Sequence, residues 1–301
     1  MSGVNSTEQF RSGFVAIGGR TNVGKSTLLN RLVGHKVAIV TPLPQTTRRR
    51  IVGIRHDPDA QLILIDMPGL HAPHKLLNQR MVAVARRALG EGEVAVGVIE
   101  AGARLRGGDR AFLEELRTVK VGKIVAINKI DQVGRNQILP LIEQCRALIA
   151  EAEIVPISAL TGENVDDLVQ TIKRMLPVGP ALMPADEYTD QSERGLVEEL
   201  IREQIFLAMR QEIPFSTAVQ VEQFVEEPER RLVRIVALII VERDSHKGMI
   251  IGAGGRQLKK IGTAARLGIE ALLGTRVFLE LVVKVEKDWT RNPRKLAELG
   301  L

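Results

Sequence analysis

Between Gly19 and Ser26 the chain reads Gly19-Arg-Thr-Asn-Val-Gly24-Lys25-Ser26. Two glycines, a cation and a hydroxyl at this spacing suit polyphosphate chemistry. The glycines let successive backbone N–H groups converge on phosphate oxygens without a Cβ in the way. Lys25 can then reach the β- and γ-phosphates, and the Ser26 hydroxyl can ligate Mg²⁺. The candidate phosphate-binding residues are Gly19, Arg20, Thr21, Asn22, Val23, Gly24, Lys25, Ser26 and Thr27, with Lys25 also a candidate catalytic group.

Three further clusters complete a nucleotide site. Asp66-Met67-Pro68-Gly69 fits Asp-x-x-Gly, with Leu70 next. The carboxylate of Asp66 suits Mg²⁺, and the Gly69 N–H suits the γ-phosphate. Asp131 to Gly134 matches the same four-residue pattern, so position decides: Asp66 ends a strand downstream of the phosphate loop. Asn128-Lys129-Ile130-Asp131 is a base-reading cluster. A carboxylate at Asp131 accepts from both the ring N–H and the exocyclic amine of guanine. Adenine has no such pair of donors and would leave the carboxylate unpaired. The Lys129 stem can pack along the base, and Ser158-Ala159-Leu160 can offer a backbone N–H to the guanine O6. The nucleotide expected is therefore GTP or GDP with Mg²⁺.

Those loops need strands to end at them and helices to leave them. Apolar runs predict strands at Phe14–Gly18, Ile51–Arg55, Leu62–Asp66, Val94–Ile99, Lys123–Asn128 and Ile154–Ile157. Helical patterns fall at Lys25–Val33, Leu76–Leu89, Asp109–Val119, Asn136–Ala150 and Val165–Leu176. The alternation predicts an α/β fold with a mostly parallel sheet covered on both faces. The turn His56–Ala60 is too short for a crossover helix, so the second and third strands should pair antiparallel at one edge. Binding loops should gather at the C-terminal ends of the parallel strands.

Composition narrows the class. The chain has 301 residues, 45% of them hydrophobic and 26% charged, enough for one large or two modest domains. No apolar run approaches the roughly 20 residues that span a bilayer, and Met1 to Arg11 lacks the apolar stretch of a secretory signal. One cysteine, Cys145, allows no intrachain disulfide. It falls in the apolar stripe Ile142, Cys145, Ile149 and reads as core packing. A soluble cytoplasmic protein is expected. The net charge of +6 invites a nucleic-acid partner. Yet residues 1–180 carry 24 Lys/Arg against 17 Asp/Glu, while residues 181–301 carry 18 against 19. Bulk charge therefore does not mark the C-terminal half, and local patterning must.

Residues 1–176 form the first predicted domain, residues 177–188 (with Pro177, Gly179, Pro180 and Pro184) a linker, and residues 189–301 a second domain and tail. The second reads helix (Asp190–Arg210), strand (Thr217–Val225), strand (Leu232–Glu242), helix (His246–Ile251), helix (Arg256–Leu273), strand (Val277–Val285). Between its two adjacent helices lies Ile251-Gly252-Ala253-Gly254-Gly255-Arg256, followed by Lys259 and Lys260. With 27 glycines, roughly two Gly-x-x-Gly matches arise by chance in such a chain, so the helix–helix setting and element order carry the weight. From Glu242 to Arg266 there are six basic residues against two acids, a local patch. Trp289, beyond the last strand, reads as a pin for the tail before it reads as a base-stacking platform.

The nucleotide motifs, in this order, resemble the small GTPase domains of the translation-factor-related class. The segment Gly252–Gly255 with its flanks resembles the loop of KH domains, here type II, which grips the backbone of single-stranded nucleic acid. Thr41–Arg50, with Gln45-Thr46-Thr47-Arg48, then becomes the first switch. The residues themselves do not choose between Thr46 and Thr47; comparison with related GTPases favours Thr47 as Mg²⁺ ligand and catalytic-site residue. Ras-like enzymes orient the attacking water with a glutamine where this chain has Leu70, so slow intrinsic hydrolysis is expected.

Together with Pro68-Gly-Leu-His71 and Lys284-Val-Glu-Lys-Asp-Trp289, the combination is similar to the bacterial Era family of GTPases with a C-terminal KH domain. It departs at Met67, usually threonine, and at Thr21, usually proline. The resemblance implies binding of small-subunit ribosomal RNA near its 3′ end, a role in 30S subunit assembly, a monomer, and loose contact with the inner membrane. Two other readings fit the motifs: a membrane-associated signalling GTPase with no RNA role, and a constitutive RNA binder whose nucleotide is structural.

Overall fold

A computed structural model describes residues 9–43, 47, 48, 50–67, 90, 92–209 and 212–300. The described residues divide into two compact units, residues 9–38, 47–67 and 92–190 in one and 39–43 and 191–300 in the other. The predicted helix Leu76–Leu89 lies outside the described residues, as do Gln45, Thr46, Pro68, Gly69, Leu70 and His71.

The first unit holds a six-stranded sheet in the order β2-β3-β1-β4-β5-β6. Its strands are β1 (Arg11–Gly19), β2 (Ile51–Asp57), β3 (Ala60–Asp66), β4 (Val94–Glu100), β5 (Gly122–Asn128) and β6 (Glu153–Pro156). All pairs are parallel except β2 with β3, which run antiparallel from Ile51 opposite Asp66 to Asp57 opposite Ala60. This is the edge arrangement the short turn required.

Side chains alternate between faces with the period of two that strands impose. Val15, Ile17, Leu62 and Leu64 pack on one face with Leu28, Leu32, Leu168 and Ile172. The helices supplying these are α1 (Lys25–Val33) and α4 (Val165–Met175). Ala16, Ile63 and Ile65 pack on the other face with Phe112, Leu116, Leu141 and Cys145, from α2 (Gly107–Thr118) and α3 (Arg135–Leu148). Cys145 is fully buried, and burial with the Asp109 charge pushes its thiol up to about 11. It is inert packing, as the apolar stripe suggested. Because β1 lies between β3 and β4, chain connections leave its C-terminal end in opposite directions, which opens a crevice there.

Residues 177–189 run along this unit. Ser12 N–H donates to the Pro177 carbonyl at 3.2 Å, Gly179 N–H to Phe10 at 3.0 Å and Ile54 N–H to Tyr188 at 2.9 Å. The Gln61 side chain, fully buried, accepts from Leu182 and Met183 N–H at 2.6 and 2.9 Å.

The second unit contains α5 (Glu193–Ala208), β7 (Thr217–Glu227), β8 (Leu232–Val241), α6 (Asp244–Ile251), α7 (Arg256–Leu273), β9 (Arg276–Val285) and α8 (Pro293–Glu298). Helix α5 starts three residues later than predicted: Ser192 is extended and its hydroxyl accepts from Gly195 N–H at 3.2 Å, capping the first turn. β7 and β8 are antiparallel, with a bulge between Val221 and Gln223, and β8 and β9 are parallel. Val197, Ile201 and Ile205 of α5 and Ile261, Ala265 and Ile269 of α7 cover one sheet face. Trp289 is 1% exposed and its Nε1 donates to the Ser216 carbonyl at 3.0 Å. The tryptophan pins the tail to the core.

Candidate nucleotide site and nucleic-acid interface

The nucleotide site gathers at the C-terminal strand ends. β1 stops at Gly19, whose φ is +147°; a Cβ there would sit 2.3 Å from the Val98 carbonyl oxygen. Gly24 opens α1 with φ +99°, and a Cβ there would sit 2.3 Å from Asn128 Nδ2. Both glycines are therefore required by conformation and by close approach. Between them Asn22 is left-handed, at φ 64°, and the loop leads into the α1 N-terminus, a natural place for an anion. Of the two departures from the family pattern, Met67 directly follows β3 and is buried in the core cluster of one sheet face.

Lys25 is 7% exposed, and its Nζ donates to the carbonyls of Gly19 at 3.2 Å and Arg20 at 2.9 Å. Burial pulls its pKa down, opposed by the charge of Asp66. Arg20 points away from the loop and grips Asp109 with two hydrogen bonds, Nε to Oδ1 at 2.6 Å and Nη2 to Oδ2 at 3.1 Å. Gly108 makes room, since a Cβ there would lie 2.5 Å from Arg20 Cδ.

Three oxygens converge beside Lys25. Ser26 Oγ donates to Asp66 Oδ2 at 2.7 Å and lies 3.0 Å from Thr47 Oγ1, which reaches the same Oδ2 at 3.3 Å. Asp66 is fully buried, and its Oδ1 has no hydrogen-bond partner among the described residues. Burial pushes its pKa up, while Lys25, Ser26, Thr47 and the Met67 N–H hold it down. An orphaned carboxylate oxygen with two hydroxyls is a hard-oxygen set that fits Mg²⁺, which uses one or two protein ligands and takes the rest from phosphates and water. Of the two threonines left open by the motif, Thr47 has its hydroxyl in this cluster, and Thr46 lies outside the described residues.

A prediction follows from the raised carboxyl. A buried acid whose folded pKa is raised favours the protonated form. Its contribution to stability is complete below the ordinary carboxylate range of about 4 and is lost as pH rises through the folded value. Asp66→Asn should therefore raise the melting temperature of nucleotide-free protein at pH 7, with the gain shrinking toward acid pH. The same change should lower Mg²⁺-dependent GDP affinity by about 100-fold or more, read by nucleotide titration with and without Mg²⁺.

The base loops are tied to the phosphate loop by one residue. Asn128, 2% exposed, donates from Nδ2 to the Val23 carbonyl at 2.7 Å and accepts at Oδ1 from Ala159 N–H at 2.9 Å. That occupies the Ala159 N–H, so Leu160 becomes the next backbone donor on the turn. Lys129 is left-handed (φ 69°) and leads into the short turn Ile130–Gln132, on which Asp131 is exposed. Ser158 is buried and its Oγ accepts from Thr161 N–H at 3.1 Å.

Three residues absent from the motif reading also reach these loops. Arg31 of α1 donates from Nε to the Ala159 carbonyl at 3.2 Å and from Nη2 to Leu160. Asp109 anchors Arg20, and Glu100 lies beside Lys129. Each is more than 25 positions from its partner, so no local pattern announces it.

In the second unit, Gly252 ends α6 with φ +70°, and a Cβ there would meet Gln257 Cβ at 2.7 Å. Gly254 (φ +60°) and Gly255 (φ +76°) have open space around them, so the turn demands their conformational freedom while leaving its outer face clear. Ala253, Gly254, Arg256, Lys259 and Lys260 lie at least partly open to solvent, and Ile251 is half-buried beneath the loop. Arg266, counted in the basic patch from sequence, is bound to Glu270 at 2.9 Å. Arg256, Lys259 and Lys260 face solvent beside the loop.

A family model described as 50S ribosome-binding GTPase matches residues 14–129, and a KH domain model matches residues 212–290. The chain is 48% identical to the GTPase Era of Syntrophus aciditrophicus (strain SB), over 97% of this chain and 95% of that protein. The chain belongs to the Era GTPase family. The Era of Geobacter metallireducens is 47% identical over 98% and 99% of the two chains. Two solved Era structures share 41% identity, cover 97% of this chain and 99% of theirs, and superpose with a TM-score of 0.93. One is a point variant of Aquifex aeolicus Era bound to GDP·AlF4⁻; the other is Era with MgGDPNP and nucleotides 1506–1542 of 16S ribosomal RNA. The Era match joins a P-loop GTPase fold to a KH fold in one chain, as the sequence predicted. No helix among the described residues is long and apolar enough to cross a membrane.

Proposed function

We propose that this protein binds and hydrolyses GTP with Mg²⁺ and uses the nucleotide state to control its grip on the 3′ end of small-subunit ribosomal RNA during 30S assembly. The observation that carries the enzymatic half is the convergence of Ser26, Thr47 and the orphaned Asp66 oxygen beside the buried Lys25. The relative bound to GDP·AlF4⁻, a mimic of phosphoryl transfer, supports hydrolysis, and the relative bound to 16S RNA supports the partner. The functional division is residues 1–176 for nucleotide, 177–188 as connection and 189–301 for RNA.

Each residue has a task set by its position. The loop from Gly19 to Thr27 wraps the phosphates with backbone N–H groups. Lys25, already desolvated, holds the β- and γ-oxygens, where a cation in a dry site counts for more than in water. Ser26, Asp66 and Thr47 hold the metal, which when bound spreads the charge of the transferring phosphoryl group. Met67 to Leu70 sense the γ-phosphate through backbone, chiefly the Gly69 N–H. Asn128 to Asp131 and Ser158 to Leu160 read guanine. Because the Leu70 side chain has no hydrogen-bonding atom, the basal rate is low, and the attacking water is oriented by backbone, by another side chain or by a partner. On the RNA side, Ile251 to Arg256 with Lys259 and Lys260 take the sugar-phosphate of single-stranded RNA. The family resemblance supports a cytoplasmic location with peripheral contact at the inner membrane.

The RNA half is tested by replacing Gly254 and Gly255 with aspartate. Both positions have positive φ, and both would turn a carboxylate toward the phosphates. Affinity for a single-stranded 16S 3′-end oligonucleotide should fall by about 100-fold while GDP affinity stays unchanged. Retained RNA binding would mean that the loop is not the RNA site, and absence of RNA binding by the unaltered protein would favour a signalling GTPase with no RNA role. Equal RNA affinity in the GTP-analogue and GDP states would remove the switch, since coupling must act in both directions.

A further inference from the structure

One charged cluster in the first unit serves neither the phosphates nor the core. Glu100 closes β4 directly opposite Asn128 in the parallel register. Its carboxylate is shared: Oε1 lies 3.4 Å from Lys129 Nζ, and Oε2 accepts from Arg106 Nη1 at 2.6 Å. The Ala101 N–H donates to the Asn128 carbonyl at 2.7 Å, fastening the start of the next loop to the same turn. The Glu100 and Lys129 side chains are 21% and 26% exposed. A partly exposed ion pair adds little to stability, and its place between two strand ends calls for a further account.

Geometry offers a better account. A lysine stem is flexible, and its course is defined only when both ends are held. The backbone end of Lys129 is held left-handed, a conformation uncommon for a residue with a side chain. Its ammonium end is held by Glu100, and Glu100 is itself braced by Arg106.

We propose that Glu100 is a positioning residue for guanine recognition: it holds the Lys129 ammonium so that the stem forms a preset platform for the base. The inference rests on the reading of Asn128–Asp131 as the base site. With the rotamer already ordered in the free protein, less ordering is left for the nucleotide to impose, and affinity rises without a new contact to ligand. The effect falls on binding alone, because Lys129 lies with the base loops and not with the hydroxyl and carboxylate cluster.

The test uses the full chain with Mg²⁺ and a fluorescent GDP, comparing Glu100→Ala, Glu100→Gln, Lys129→Met and the double variant Glu100→Ala/Lys129→Met. Both Glu100 variants should release GDP about tenfold faster and raise KM for GTP by a similar factor, with kcat unchanged. In the Lys129→Met background, Glu100→Ala should change release less than about twofold, the non-additivity expected of a residue acting through another. Equal acceleration with and without Lys129, no acceleration at all, or a fall in kcat would each overturn the proposal. A failure of the base-site reading would show separately, as an unchanged base preference in Asp131→Asn.

Discussion

Asp131→Asn is expected to turn a protein that prefers GTP into one that prefers XTP. Guanine presents two donors along one edge, the ring N–H and the exocyclic amine, and a carboxylate accepts both. An asparagine presents one acceptor and one donor. Xanthine matches it, because a carbonyl replaces the exocyclic amine while the ring N–H remains. Sites built around such hydrogen bonds reject the mismatched partner by about 10⁴-fold, because the polar groups are left unpaired. The ratio of kcat/KM for GTP to that for XTP should therefore swing by about that factor. Asp131 is exposed on the turn Ile130–Gln132, so the change leaves the core intact and the fold should melt as before. A variant that still prefers GTP would mean that Asp131 does not face the base.

Lys25→Met should have the second large effect, on turnover. The ammonium is buried and lies next to the proposed Mg²⁺ cluster; Asp66 is the charge that attracts it. Removing one preorganised charge from a water-poor phosphoryl site costs about 10²- to 10³-fold in kcat. Methionine keeps most of the stem, so the packing of α1 against β1 should survive. Phosphate release at saturating GTP measures it. A rise in KM alone, with kcat unchanged, would mean that Lys25 binds ground state and transition state equally.

Particular residues show what could be read in advance. Gly19, Gly24, Lys25 and Ser26 were legible because phosphate binding imposes a local pattern: a strand end, a curl with no Cβ, and a helix start within eight positions. The alternating strands were legible because burial on both faces forces continuous apolar runs, as in Val94–Ile99. The antiparallel edge followed from a turn too short for a helix. Helix α5 began later than its apolar pattern suggested, because capping by Ser192 is a matter of backbone geometry. Arg266 of the basic patch pairs with Glu270 four positions on, a spacing that the predicted helix Arg256–Leu273 already brings to one face.

The sequence by itself determined the family, and proposed which atoms meet phosphate, which read guanine, and which glycine loop faces nucleic acid. Each of those depends on residue type at short spacing, and short spacing survives in the linear order. Only the tertiary structure decided which residues hold those atoms in place. Asn128 reaches Val23 across 105 positions, Arg31 reaches Ala159 across 128, and Arg20 reaches Asp109 across 89. These partners come together because parallel strands end side by side in the order β3-β1-β4-β5-β6, which no local pattern encodes. The orphaned oxygen of Asp66 and the shared carboxylate of Glu100 belong to the same class. Their meaning lies in what surrounds them, and the surroundings exist only in the folded chain.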